Sequence, residues 1–313
     1  MMNWKSLVEN YLAQKQQLGY SLQSESLYLR SFARYAEQQK EKTAMTVTLA
    51  LGWANLAPSG SDIAIARRFS ILRPFSYYLT DLGYDSVVLP THYLGPTHRR
   101  LPPHIFSQGE IIQLMEATER LYTTNGLRPI TMKTLIGLLA STGLRPGEAV
   151  RLTVQDVDLS TGKITVNNSK GWKQRLLPLS RSTITALKHY TKIKDKIIAP
   201  LHQTGAFFET DYHQPFNIRS ADYAFGLLRE ELRLSVKFNG HYPRLYDLRH
   251  TFVCQRITAW YQAGINVDSQ LPKLSYYLGH KKVSDTYWYL TAIPELMAFA
   301  AKRFHSHWRG DFQ

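Results

Sequence analysis

The chain has 313 residues, 44% of them hydrophobic, with 38 Lys and Arg against 24 Asp and Glu, a formal charge of +14 and a pI near 9.7. That length allows two domains with cores of their own, and that charge points to a polyanion, nucleic acid being the default partner. The single cysteine, Cys254, excludes an internal disulfide and sits in an apolar helical run as a buried, inert thiol; no apolar stretch is long enough to span a membrane and Met1 to Lys5 lacks a signal-peptide core, so a cytoplasmic protein is expected.

From residue 3 to about residue 88, apolar side chains recur at helical spacing. Val8, Tyr11 and Leu12 form one group, Leu27, Leu29, Phe32 and Tyr35 a second, and Phe69, Leu72, Phe75 and Leu79 a third. Gly19 and the Pro58-Ser59-Gly60 cluster break the pattern, and Ser61 with Asp62 offers a cap for a helix carrying Arg67, Arg68 and Arg73. The spacing predicts a bundle of four or five helices over residues 1–89, with those three arginines as candidate DNA contacts. Residues 90–106 lack an apolar period and contain Pro90, Pro96, Pro102 and Pro103. Proline stiffens such a stretch, which predicts an interdomain linker whose Arg99 and Arg100 suit phosphate contact.

Ser107-Gln108-Gly109-Glu110 is a capping box and opens a second domain over residues 107–313. A helix is expected from about Pro129 to Ser141, stopped by Gly143, and Pro146 can open the next. Short strands are expected near Val157–Leu159, Lys163–Val166 and Arg175–Pro178. The rest is predicted to be mostly helical: Tyr246 to Ala263 with Gly264 as its stop, a helix ending at Leu278-Gly279, and an amphipathic tail helix over Pro294–Phe304. The expected class is mainly α with a small antiparallel sheet.

Five local contexts in this second domain carry candidate chemistry. Arg145 lies in Ser-Thr-Gly-Leu-Arg-Pro-Gly-Glu, at a corner between two helices, where both the guanidinium and a helix start favour an anion; Glu148 can fix it by a charge-assisted bond. Lys170 lies in Ser-Lys-Gly-Trp-Lys between the second and third strands, with Lys173 and Arg175 as nearby competitors for an acid or a DNA contact. Tyr246 and Arg249 are three apart and share a helical face, while His250 is read as pointing elsewhere and buttressing the helix. His280 follows a helix end at Leu278-Gly279. Tyr287, Trp288 and Tyr289 then compete as nucleophile, and helical spacing puts Tyr287 and Tyr289 on different faces. Each residue taken singly is also an ordinary packing or surface residue. Together, two arginines, a lysine, a histidine and a tyrosine can bind a phosphodiester, attack it and protonate the leaving group.

In this order and spacing, Arg145, Lys170, Arg249, His280 and Tyr289 resemble the tyrosine recombinase (phage-type integrase) family, over about Ser107 to Arg303 and more weakly in the N-terminal part. The resemblance implies a core-binding, SAM-like helical domain followed by a mixed α+β catalytic domain. It selects Tyr289 as the nucleophile of a 3′-phosphotyrosyl intermediate and Lys170 as the acid, with Arg145, Arg249, His280 and Tyr246 around the phosphate. It implies no cofactor and no metal. The partners it implies are duplex DNA with inverted-repeat sites and further protomers, as a tetramer on paired sites, in the integrase of a mobile element. The sequence departs from the family at Tyr246, where the family usually has a histidine; a phenol can donate a hydrogen bond but is a poor acid or base near neutral pH. A type IB topoisomerase, or a non-catalytic DNA-binding protein on the same fold, are the alternatives.

Overall fold

The computed structural model describes residues 3–39, 44–97, 102–167, 174–199, 204–234, 242–280 and 282–291. The chain divides into two compact units, Met1–Arg100 and Leu101–Gln313.

In the first unit the described residues form α1 (Trp4–Gln17), α2 (Gln23–Gln38), α3 (Val47–Ala54) and α4 (Asp62–Asp81). Side-chain oxygens cap three of these helices: Asn3 accepts from the Ser6 amide, Thr46 from Leu49 and Ser61 from Ala64. Each cap satisfies an amide that the first helical turn leaves without a partner. The buried faces meet in an aromatic core, in which Trp4 and Trp53 both pack edge-on against Phe32 and Tyr11 against Phe75. Leu27 is not part of it: it is exposed, because the buried stripe of α2 runs through Leu29, Phe32, Ala33 and Ala36. Leu89 is buried in this core, and Tyr93 stacks on Phe69.

The second unit opens with α5 (Gln108–Ala117), whose capping box is formed as the sequence indicates: the Ser107 hydroxyl accepts from the Glu110 amide, and the Glu110 carboxylate accepts from the Ser107 amide. Next come α6 (Leu127–Thr142), the single turn α7 (Pro146–Ala149), and strands β1 (Val157–Asp158), β2 (Lys163–Val166) and β3 (Arg175–Pro178). The strands pair antiparallel in the order β1-β2-β3, with Ile164 opposite Leu177 and Val166 opposite Arg175. Helices α8 (Arg181–Ile197), α9 (Ile218–Glu231), α10 (Asp247–Gln262), α11 (Val267–Leu278) and α12 (Ser284–Thr291) complete the described part. This is a mainly α fold with one small antiparallel sheet. The tail segment Pro294–Phe304 lies outside the described residues.

Helix α6 lies against α5, α8 and α10, and its buried Leu135, Leu138 and Leu139 belong to the main core. A second cluster joins α10, α11 and α12 through Val253, Cys254, Leu271, Leu278 and Tyr289. Cys254 is buried, as its apolar surroundings in sequence imply. Helix α6 stops at Gly143 and α11 stops at Gly279. Both glycines hold a left-handed backbone, with φ of 64° and 68°. A Cβ at Gly143 would lie 2.4 Å from the Phe252 ring, so both the backbone and the packing call for glycine there.

Candidate active site

Arg145, Arg249, His280 and Tyr289 come from four separate elements and meet at the ends of α6 and α11. Arg249 is on the first turn of α10 and is fully buried. Its Nη1 donates to the Gly143 carbonyl at 2.8 Å, and its Nη2 donates to the Leu278 carbonyl at 2.8 Å and to His280 Nε2 at 3.0 Å. Its Nε has no hydrogen-bond partner. Helix-end carbonyls thus neutralise part of a guanidinium whose pKa burial pulls below its ordinary value.

Arg145 stands just before α7. Pro146 does occupy the first helical position, but α7 has only four residues, so its dipole contributes little and Glu148 dominates the environment of Arg145. Arg145 Nη1 donates to Glu148 Oε1 at 2.8 Å and its amide to Glu148 Oε2 at 3.2 Å, while Nη2 reaches the Gly279 carbonyl at 3.4 Å. Burial disfavours its charge, but the Glu148 carboxylate outweighs that and holds the pKa of Arg145 above the usual value. The two guanidiniums therefore converge on neighbouring carbonyls, Leu278 and Gly279. The Tyr246 ring is beside Arg145 and more than a third exposed.

His280 follows Gly279, and its Nδ1 lies 2.8 Å from the Thr286 hydroxyl. Burial, with the Arg249 charge second, pushes its pKa down to about 4, so the ring is neutral at ordinary pH. Tyr289 is buried in α12, while Tyr287, two positions earlier, is exposed. The Tyr289 ring stacks on His280 (6.0 Å between centroids, 8° between planes) and leans on His250 at 5.0 Å. Burial raises the phenol's pKa, and the neighbouring Arg249 opposes this.

Three of the expected placements change. His250 does not point away from the site: four residues after Tyr246, it shares that residue's face, packs edge-on against it at 5.3 Å and flanks Tyr289. Burial takes its pKa down to about 4, and its Nδ1 has no hydrogen-bond partner. Arg175 is not an outward DNA contact; it is 6% exposed, and its donors go to Glu148 and to the Tyr277 carbonyl. Arg68 is likewise buried, stacked 4.1 Å over Trp53 and bonded to the Leu56 carbonyl. Arg67 is exposed, and Arg73 is half-buried and bonded to the Tyr77 hydroxyl. Lys170, Lys173, Arg99 and Arg100 lie outside the described residues. Thr286 was not singled out by the sequence, because nothing in a Ser-Asp-Thr helix start marks it as the partner of a histidine six positions earlier.

Two converging guanidiniums, an uncharged imidazole and a buried phenol can together hold an anion and bring an oxygen nucleophile to it, which is chemistry suited to phosphodiester transfer. The sequence profile of the phage integrase family matches residues 105–295. The integrase/recombinase y4rE of Sinorhizobium fredii (strain NBRC 101917 / NGR234) is 36% identical over 95% of this chain and 94% of its own. Tyrosine recombinase XerC of Thermodesulfovibrio yellowstonii (strain ATCC 51303 / DSM 11347 / YP87) is 26% identical over 91% of each chain. Among solved structures, the Tn1549 transposon integrase in complex with transposon right end DNA has a TM-score of 0.67 at 17% identity, over 98% of this chain and 99% of that one. A lambda integrase dimer bound to a COC′ core site has a TM-score of 0.63 at 16% identity, over 91% and 76%. At these identities the structural likeness is one of fold. The chain belongs to the phage integrase family of tyrosine recombinases.

Proposed function

We propose that this protein is a site-specific DNA recombinase that cuts and rejoins duplex DNA through Tyr289. The observation that carries this reading is the position of Tyr289, buried between His250 and His280 within reach of Arg249, where the Arg145 guanidinium also converges. The phenol oxygen attacks the phosphorus. The new bond from phosphorus to tyrosine oxygen forms as the bond to the 5′ oxygen breaks. Arg145 and Arg249 hold the non-bridging oxygens as charge builds on them. When a phosphate draws Arg249 Nη2 away from His280, the imidazole Nε2 is free to take the phenol's proton. The departing 5′ oxygen gains a proton, for which family resemblance nominates Lys170. One proton is lost and one gained, no electrons are exchanged, and the bond energy stays in the 3′-phosphotyrosyl link until a partner strand's 5′ hydroxyl reverses the step.

Under this reading residues 1–89 form a core-binding domain, residues 90–106 a linker and residues 107–313 the catalytic domain. Inverted-repeat sites, a tetramer on paired sites and a mobile-element origin extend the same proposal; the Tn1549 relative, described as a transposon integrase, supports the last of these. The test is to incubate the protein with the DNA flanking its own gene, trap the adduct and map it. An adduct on Tyr289 through a 3′ phosphate, leaving a free 5′ hydroxyl, is the expected result. A 5′-linked adduct, or none on any flanking DNA, contradicts the reading.

A further inference from the structure

We propose that Arg175 is a positioning residue for this reaction: acting through Glu148, it fixes where Arg145 presents its guanidinium and leaves that guanidinium a charge to offer. The inference rests on the transesterification reading above.

The first observation is a cation on the buried face of a strand. In β3 the cation at Arg175 is turned inward and nearly inaccessible, while the next residue, Leu176, is 63% exposed. Alternation puts Arg175 on the same inward face as the buried Leu177, so a cation occupies a core-facing position, where it is stable only with partners that replace its lost water. The second is that all three guanidinium nitrogens are engaged. Arg175 Nη1 and Nη2 donate to the two oxygens of Glu148 at 3.2 and 2.6 Å, and Nε donates to the Tyr277 carbonyl at 3.0 Å. The side chain therefore ties β3 both to the α7 corner and to the end of α11.

The third is charge. Glu148 is itself buried, and it faces both Arg145 and Arg175. One carboxylate between two guanidiniums leaves a net charge of about +1 on the triad, and Arg145, a third exposed, is the member that can meet an anion. Without Arg175, Glu148 would neutralise Arg145 alone and could swing with it. The fourth observation is Gly279. A Cβ there would lie 2.8 Å from Arg175 Nη1, and the Gly279 carbonyl is the one that Arg145 Nη2 reaches. Arg175 thus packs against the residue that joins Arg145 to His280.

The test compares two substrates in each protein preparation. Duplexes carry the mapped cleavage site with either the natural phosphodiester or a methylphosphonate, in which a neutral methyl replaces one non-bridging oxygen. Single-turnover adduct formation is measured for the unchanged protein, Arg175→Met, Arg175→Lys and Glu148→Gln. Arg175→Met is expected to slow adduct formation on the phosphodiester by about a hundredfold, the scale of a misplaced catalytic group. On the methylphosphonate most of that loss should vanish, because less charge needs to be held. Arg175→Lys should recover part of the rate, since an ammonium restores the charge without the planar fork. The ratio of the two substrates does not depend on how much of a preparation is folded, so a poorly folding variant still reports. If Arg175→Met yields no soluble protein, Arg175→Gln, which removes the same charge, is read in its place. Glu148→Gln raises the triad's charge to about +2 and should not show a loss confined to the phosphodiester. Equal losses on both substrates, or no loss on either, would overturn the inference while leaving the recombinase reading intact. No adduct from the unchanged protein would overturn that reading, and this inference with it.

Discussion

Arg249 Nη2 donates to His280 Nε2 at 3.0 Å, which fixes the state of the histidine. A guanidinium has donors only, so Nε2 must be the accepting nitrogen, and the proton of the neutral ring sits on Nδ1, which donates to Thr286. Arg249 thereby sets both the tautomer and, with burial, the low pKa of His280. The same imidazole forms one wall of the Tyr289 pocket, with His250 as another.

This gives a pH dependence of stability with a definite sign. His250 and His280 both have folded pKa values near 4, against an ordinary value of 6.5, so near pH 5 the unfolded chain binds about two more protons at these sites. Their contribution is fully present above pH 6.5 and is lost as pH falls from 6.5 towards 4. Urea midpoints measured across that window should fall with pH, and His250→Gln or His280→Gln should each flatten the slope. A midpoint that stays level from pH 6.5 to 4 would be inconsistent with two buried neutral imidazoles.

Tyr289→Phe should keep DNA binding and folding but form no covalent adduct on a nicked suicide duplex, since only the phenol oxygen is removed. Tyr287→Phe should form adduct at the normal rate, because Tyr287 faces solvent. An adduct of normal yield from Tyr289→Phe would move the nucleophile elsewhere.

Tyr246 borders Arg145 at the rim of the site and stands where the family usually has a histidine. Its expected role is one hydrogen bond and ring packing against His250. Tyr246→Phe should slow single-turnover cleavage about tenfold to a hundredfold, the worth of one charge-assisted bond, and Tyr246→His should stay active. Arg249→Ala should be far worse, because it also leaves the Gly143 and Leu278 carbonyls without their donor. If Tyr246→Phe abolished cleavage as fully as Tyr289→Phe, Tyr246 would have to act directly in proton transfer.

Gly143→Ala should destabilise the second unit. The left-handed backbone costs a non-glycine residue about 1 kcal/mol, and overlap with Phe252 adds roughly 1–3 kcal/mol. Chemical denaturation reports the sum. Unchanged stability would mean that Phe252 and the turn relax together, and the Arg249 contact to the Gly143 carbonyl would then be expected to shift.

What the sequence determined by itself is local. The capping box at Ser107 and Glu110, the glycine stops at 143 and 279, the three strand positions, and the opposite faces of Tyr287 and Tyr289 all depend on neighbours within a turn or a pleat. Backbone sterics and side-chain period decide such features, and a single chain displays both. The tertiary structure alone decided which charged side chains turn inward. Arg175 and Arg68 look like surface cations in sequence, yet one meets Glu148, 27 positions earlier, and the other the face of Trp53. His250 faces Tyr289, and Thr286 pairs with His280, because α10, α11 and α12 pack on one another. A buried charge is stable only beside a partner that compensates for its lost water, and for Arg175 and Arg68 that partner comes from another element brought in by folding.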